Sequence, residues 1–396
     1  MKKFFYKLTA IIIAVIMLLP ICLKVFGQEN APIAQPHSLG APEGTLNLNC
    51  KSAILMEATT GTILYTQNAE EALPPASVTK VMTLLLVMEA IDAGTIRVDD
   101  TVSVSANAAS MGGSQVFLEE GERMSVEDLL KSVVIASAND AAVALAEYVS
   151  GSVDAFVAKM NAKAVELGMT ATHFENVTGL DDTAENHFTS AKDIALMSCA
   201  LVAHPLVLEY SSIWMDTIRD GAFGLTNTNR LVRYYKGCTG LKTGSTSKAG
   251  FCISATAERD GLSLVCVIMG AESRDIRNAA ATTLLDWGFA NFALFKGEAG
   301  VSDPIAVKGS ATRQMTGSYP AFSCVVRREE LSKIEKSITL TESIAAPVPS
   351  GEKIGKVTYL CGEREIGSVD ICTEIELKRI SFFEILTHIF AKSLLI

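Results

Sequence analysis

The stretch that constrains this chain most is Pro74-Pro75-Ala76-Ser77-Val78-Thr79-Lys80-Val81-Met82-Thr83. Two prolines and a small residue lead into Ser77, and an apolar run from Val81 to Met88 continues to Gly94. Proline suits the start of a helix and glycine the position after its end, so the spacing predicts a helix opening at Ser77 and stopping at Gly94. Most of that helix is apolar all round, which requires burial, with only the first turn facing a cleft. Ser77 and Lys80 are three apart and share one helix face. A hydroxyl beside an amine is a nucleophile beside a base, and burial favours the uncharged amine. Ser-x-x-Lys also occurs at Ser245–Lys248 and Ser350–Lys353, where no apolar helical run follows. Taken alone, the motif reads more readily as a helix cap followed by a solvated Lys.

A buried helix of this kind needs a large domain around it. The 396 residues are 49% hydrophobic, enough for two domains, and the net charge of −10 argues against a nucleic-acid partner. Lys2, Lys3 and Lys7 precede an apolar run, Leu8 to Leu23, broken late by Pro20. That pattern suits an export signal over residues 1–27, cleaved near Gly27, better than a membrane span; an uncleaved anchor is the alternative. Residues 28–49 read as a linker. The nine cysteines include no C-x-x-C and no zinc spacing, so neither a metal site nor a cofactor is expected. Buried free thiols are the expected state, although export leaves disulfides open.

Residues 50–297 read as one mixed α/β (α+β) domain of helices and an antiparallel sheet. Ser52–Tyr65 is a hairpin, and Ser125 caps a helix that carries Leu129, Leu130, Val133 and Val134. Another helix covers Ala141–Val149, which puts Ser137 and Asn139 on the loop between the two. Further helices read at Val153–Leu167 and Ala191–Ala203, the latter stopped by His204-Pro205. Residues 238–270 form three antiparallel strands, and a helix with Leu284, Leu285, Trp287 and Phe289 follows. Residues 298–376 change to short alternating strands, a small all-β domain.

Three motifs then stand in order: Ser77-x-x-Lys80, Ser137-x-Asn139 and Lys242-Thr243-Gly244. Ser105-Ala106-Asn107 repeats the second motif, but without the two flanking helices. The set belongs to penicillin-binding proteins and class A β-lactamases. From Ser52 to Phe289 the chain resembles the exported low-molecular-weight penicillin-binding proteins, the serine D-alanyl-D-alanine carboxypeptidases. Thr172–Asn176 with Gly179-Leu180, His187 with Thr189-Ser190-Ala191 and Asp193, and Ser273-Arg274-Asp275 add to the likeness. It departs from many relatives at Thr239-Gly240 and at Ser245.

The resemblance implies a β-lactamase/transpeptidase-like catalytic domain that trims peptidoglycan stem peptides in cell-wall biogenesis and is acylated by β-lactam antibiotics. By it, Ser77 attacks the carbonyl between the last two D-alanines and Lys80 takes its proton. Ser137 relays a proton to the leaving amine, and Asn139 holds Lys80 and the substrate amide. Lys242 and Thr243 anchor the substrate carboxylate, Gly244 completes that motif, and the backbone N–H groups of Ser77 and Ser245 form an oxyanion hole. Two rivals remain. A β-lactamase would pair a Glu with an Asn four residues later; Glu175 lies near the right place, but Gly179 occupies the second position. A sensor or scaffold would bind penicillin without turnover. His173, His187 and His204 read as structural, and no His–Asp pair suggests a triad for Ser77.

The tail, Leu377–Ile396, is amphipathic at helical spacing. Ser381, Glu384, His388, Ala391 and Lys392 fall on one side, and Phe382, Phe383, Ile385, Leu386, Ile389, Phe390 and Ile396 largely on the other. Charges within the run suit a helix lying in a membrane interface, so the protein is expected on the outer face of the cytoplasmic membrane or in the wall. A helix packed on the chain's own β domain is the alternative.

Overall fold

The computed structural model describes residues 46–181 and 184–393. The export segment 1–27, most of the linker 28–49 and the last three residues lie outside them. The first hairpin, β1 (Ser52–Glu57) and β2 (Ile63–Gln67), is followed by a short 3-10 turn over Ala76–Thr79 and helix α1 (Lys80–Asp92). A ribbon of β3 (Thr101–Ser103) and β4 (Arg123–Ser125) encloses a one-turn helix at Ala106–Ala109. Helices α2 (Val126–Ile135), α3 (Asn139–Ser150), α4 (Val153–Glu166), α5 (Ala191–Val202) and α6 (Pro205–Ser211) come next, then the hairpin β5 (Met215–Ile218) and β6 (Phe223–Thr226). Strands β7 (Cys238–Thr246), β8 (Gly250–Arg259) and β9 (Leu262–Ala271) precede helix α7 (Arg274–Asn291).

The three strands join the N-terminal hairpin in one antiparallel sheet of order β2-β1-β9-β8-β7. Both faces of this sheet are covered. Ile54, Met56, Val265, Val267 and Met269 face a core shared with α1 to α5. Leu55, Ile253, Leu264, Cys266 and Ile268 face α7 through Ala281, Leu284 and Leu285. A strand covered on both sides must be apolar at successive positions, which is why Leu264–Met269 shows no alternation. Helix α1 runs through the first core with Lys80 and everything from Val81 to Met88 buried. It ends at Asp92, two residues before Gly94 at φ +68.

The structure departs from the sequence reading in four places. Asn139, expected on the loop, is the first residue of α3. Ser77 does not open an α-helix: it sits in the 3-10 turn, and regular helix begins at Lys80. Pro205 ends one helix and occupies the first turn of the next, α6, because a residue without an N–H suits a helix start. The β5–β6 hairpin was not anticipated; its strands are four residues long and largely solvated. The eight described cysteines are all free thiols.

Beyond α7, strand β10 (Phe292–Gly297) pairs with Phe322–Arg327. A second sheet places Gly300–Val301, Gly317–Tyr319, Arg364–Thr373, Lys353–Cys361 and Ile334–Leu340 side by side. Its core of Ile305, Val307, Tyr319, Val348, Ile354, Val357, Tyr359 and Ile371 is separate from the two above. The tail forms a helix over Phe382–Ser393.

Candidate active site

The 3-10 turn presents Ser77 half-buried at the mouth of the core, with Ala76 in the left-handed region at φ +49. Lys80, one turn on, is fully buried. Its Nζ donates to Ser77 Oγ at 3.0 Å, to Asn139 Oδ1 at 2.6 Å and to the Thr178 carbonyl at 3.0 Å. Three acceptors satisfy all three ammonium N–H groups. Burial, then the nearby charge of Lys242, holds the Lys80 ammonium well below the usual lysine range, against a smaller opposing pull from Asp140.

The junction of α2 and α3 supplies the second pair. Ser137 is buried at φ +65, a left-handed conformation uncommon for serine, and Asn139 is the first residue of α3. The Asn139 amide is fixed at both ends, since Nδ2 donates to the Gly112 carbonyl at 2.7 Å while Oδ1 receives Lys80. Ser105-Ala106-Asn107 is elsewhere employed: Ser105 caps the short helix by accepting from Ala108 N–H, and its hydroxyl and Asn107 Nδ2 both donate to the Glu147 carboxylate.

The third element is β7, an edge strand of the sheet. Lys242 is buried, and its Nζ donates to Ser137 Oγ and to the Thr243 carbonyl, each at 2.8 Å. Burial and then the Arg277 charge bring its pKa down to about 7. Thr243 Oγ1 donates to Thr228 Oγ1 at 2.8 Å. A Cβ on Gly244 would lie 2.7 Å from Ser77 N, 2.9 Å from Val78 N and 3.0 Å from the Pro75 carbonyl. Glycine there lets the strand edge lie directly against the serine turn. Ser245, next along, is exposed.

The structure therefore brings two hydrogen-bonded groups, Ser77–Lys80–Asn139 and Ser137–Lys242, together with Thr243 and Gly244, into one site, with Ser245 following on the strand edge. Three further participants lie outside the three catalytic motifs, although His187 belongs to one of the secondary signatures. The Thr178 carbonyl is a backbone group. Arg277, buried on α7 and held at about 10 chiefly by burial, lies within electrostatic reach of Lys242. His187 contacts the serine turn through Thr79.

The family described as D-alanyl-D-alanine carboxypeptidase matches residues 38–273, and the penicillin-binding protein 5 C-terminal domain matches residues 317–379. The D-alanyl-D-alanine carboxypeptidase DacF of Bacillus subtilis is 39% identical over 90% of this chain and 93% of its own length. DacC of Escherichia coli is 35% identical over 81% and 82% respectively. Among solved structures, penicillin-binding protein 5 of Haemophilus influenzae superposes with a TM-score of 0.73 at 29% identity, covering 84% of this chain and 99% of that one. Penicillin-binding protein D2 of Listeria monocytogenes, solved with ampicillin bound, gives 0.57 at 34% identity over 62% of this chain and 99% of its own. The chain belongs to the serine D-alanyl-D-alanine carboxypeptidase family of low-molecular-weight penicillin-binding proteins.

Proposed function

We propose that the protein removes the terminal D-alanine from peptidoglycan pentapeptide stems through a Ser77 acyl-enzyme, and that penicillins acylate the same oxygen. The observation that carries this reading is the buried Lys80 amine 3.0 Å from Ser77 Oγ, held by Asn139 and Thr178. Once uncharged, that amine keeps two N–H groups for Asn139 and Thr178 and turns its lone pair to the Ser77 hydroxyl. Ser77 Oγ adds to the penultimate carbonyl carbon as Lys80 takes the proton. The C–N bond then breaks as Ser137, hydrogen-bonded to Lys242, relays to the departing amine the proton that Lys80 took, giving up its own proton and regaining that one, so that Lys80 is again uncharged. Water hydrolyses the ester and restores the serine. The Lys242 ammonium with Thr243 receives the terminal carboxylate. The amides of Ser77 and Ser245 stabilise the oxyanion, a placement supported by how closely β7 adjoins the turn at Gly244.

The carboxylate of Glu175 accepts from Asn186 N–H at 3.1 Å within its own loop, and Gly179 offers no side chain to orient a water. This favours a long-lived penicilloyl-enzyme over a β-lactamase. Incubation with labelled penicillin and with a wall pentapeptide tests the reading. The expected result is stable covalent label and release of D-alanine. Rapid turnover of the antibiotic would mean a β-lactamase, and label without D-alanine release a sensor.

The tail helix supports a position on the outer face of the cytoplasmic membrane. Its chain is tied to the β region where Ile380 N–H donates to the Gly309 carbonyl at 2.8 Å, and Ile385 and Ile389 line a groove with Val307 and Ala311. Even so, Phe382 and Phe383 remain 70% and 77% exposed, and Ile389 60%. Aromatic and aliphatic side chains left this open mark an apolar surface seeking a partner, and an interfacial helix supplies its own in lipid. Deleting Ile380–Ile396 is expected to move the exported protein from membrane to soluble fractions, with hydrolysis of a short peptide unchanged. Retention on membranes would assign anchoring elsewhere. Loss of folding would assign the helix to the β region.

A further inference from the structure

One buried titratable group has no part in the steps above. His187 is 7% exposed, and its Nε2 lies 2.8 Å from Oγ1 of Thr79, on the turn between Ser77 and Lys80. Its Nδ1 accepts from the Glu175 backbone N–H at 3.1 Å. An atom facing an amide N–H presents a lone pair, so the ring is neutral, with its proton on Nε2 donated to Thr79. Phe174 packs edge-on against it, the centroids 5.7 Å apart.

The ring thus joins two parts of the site that come from distant sequence. One is the Ser77–Lys80 turn. The other is the segment 174–180, whose Thr178 carbonyl accepts from Lys80. The two are in close contact elsewhere too. Thr83 Oγ1 donates to the Val177 carbonyl at 2.7 Å, and a Cβ on Gly179, at φ +80, would fall 1.8 Å from the Ala76 carbonyl oxygen. Without the histidine bridge, the segment that holds the third acceptor of the Lys80 amine keeps only its contacts at Thr83 and Gly179 with the turn and helix.

We propose that His187 is a positioning residue for acylation: its neutral ring clamps the 174–180 segment to the serine turn, and its protonation releases the clamp. A proton on Nδ1 would set two donors, ring and amide, against each other. Burial holds the pKa down to about 4; Glu175 and Asp181 face the ring and favour its charged form, while His173 opposes it. The fully buried Lys80 lies across the turn. In the unfolded chain the ring titrates near its ordinary value of 6.5. The unfolded state therefore binds more protons between pH 6.5 and about 4. The clamp is complete above that window and is lost as the pH falls through about 4.

This inference rests on the Ser77 acyl-enzyme reading, and the experiment separates the two. The limiting rate of covalent labelling by penicillin is measured against pH for the full chain, for His187→Gln and for His187→Leu. Glutamine keeps one donor and one acceptor on a planar group that does not titrate. It is expected to acylate close to the wild-type rate at pH 7 and to lack the extra steepening that the wild type shows near pH 4. Leucine is expected to lower the limiting rate about tenfold or more without weakening the prior reversible binding, as misplacement of a catalytic group does. If the leucine variant does not fold, Thr79→Val, isosteric with the native side chain, is expected to show the same loss. Wild-type protein that takes no label overturns the acyl-enzyme reading. Wild-type label with a leucine or valine variant of undiminished rate, or a glutamine variant with the wild-type acid limb, overturns the clamp.

Discussion

Ser77→Ala is expected to abolish covalent labelling by penicillin and release of D-alanine, with a loss of about 10⁴-fold or more, as when a nucleophile is removed from a catalytic unit. Among the hydroxyls of the network, Ser77 is the one hydrogen-bonded to the Lys80 amine while half-exposed to an incoming substrate. Ser137 is buried and accepts from Lys242. Ser245 is open to solvent on the strand edge. The substitution removes one oxygen at the surface of the turn and leaves the Lys80 amine two of its three acceptors. The variant should melt near the wild-type temperature and still bind penicillin reversibly, since Lys242, Thr243 and the backbone amides are untouched. Covalent label on the variant, located by peptide mapping, would transfer the nucleophile's role to the residue that carries it.

What could be read from the sequence is what depends on short spacing. Ser77 and Lys80 are neighbours on one turn whether that turn is 3-10 or α, so misjudging the helix start did not move them apart. The loop carrying Ser137, with Asn139 at the start of the helix after it, followed from a Ser125 cap, whose side chain does accept from Asp128 N–H at 3.0 Å, and from the apolar periods on either side. The three antiparallel strands of residues 238–270 were legible, but that β9 lies inside the sheet with both faces covered came only with the assembled fold. The parts that stayed hidden depend on long-range contact or on backbone atoms. No residue type signals that the Thr178 carbonyl will accept from Lys80, 98 residues away. His187 meets Thr79 across 108 residues. The register that sets Gly244 against the Ser77 amide is a property of the assembled sheet. The β5–β6 strands are too short and too solvated to leave a periodic trace.

Lys80→Met retains the buried stem without the amine and is expected to lower the acylation rate at saturation by about 10²–10⁴-fold, the range for loss of a general base. The loss should appear in kcat, because the Lys80 amine acts on the Ser77 proton and makes no contact reserved for binding. The same geometry fixes a pH dependence. Only the uncharged amine can take a proton, so the rate rises as pH increases through the pKa of Lys80. That pKa is held low first by burial and then by the charge on Lys242. Lys242→Gln removes the second influence, so Lys80 becomes easier to charge and the acid limb of the acylation profile is expected to move to higher pH. An unmodified Lys242, brought down to about 7 itself, discharges as the pH rises further, and carboxylate recognition weakens on the alkaline side. Recording kcat and KM across pH for both variants checks each step. A Lys80→Met enzyme with raised KM and normal kcat would reduce Lys80 to a binding group. An acid limb that stays in place, or moves down, in Lys242→Gln would mean that the two buried lysines do not share charge across the site.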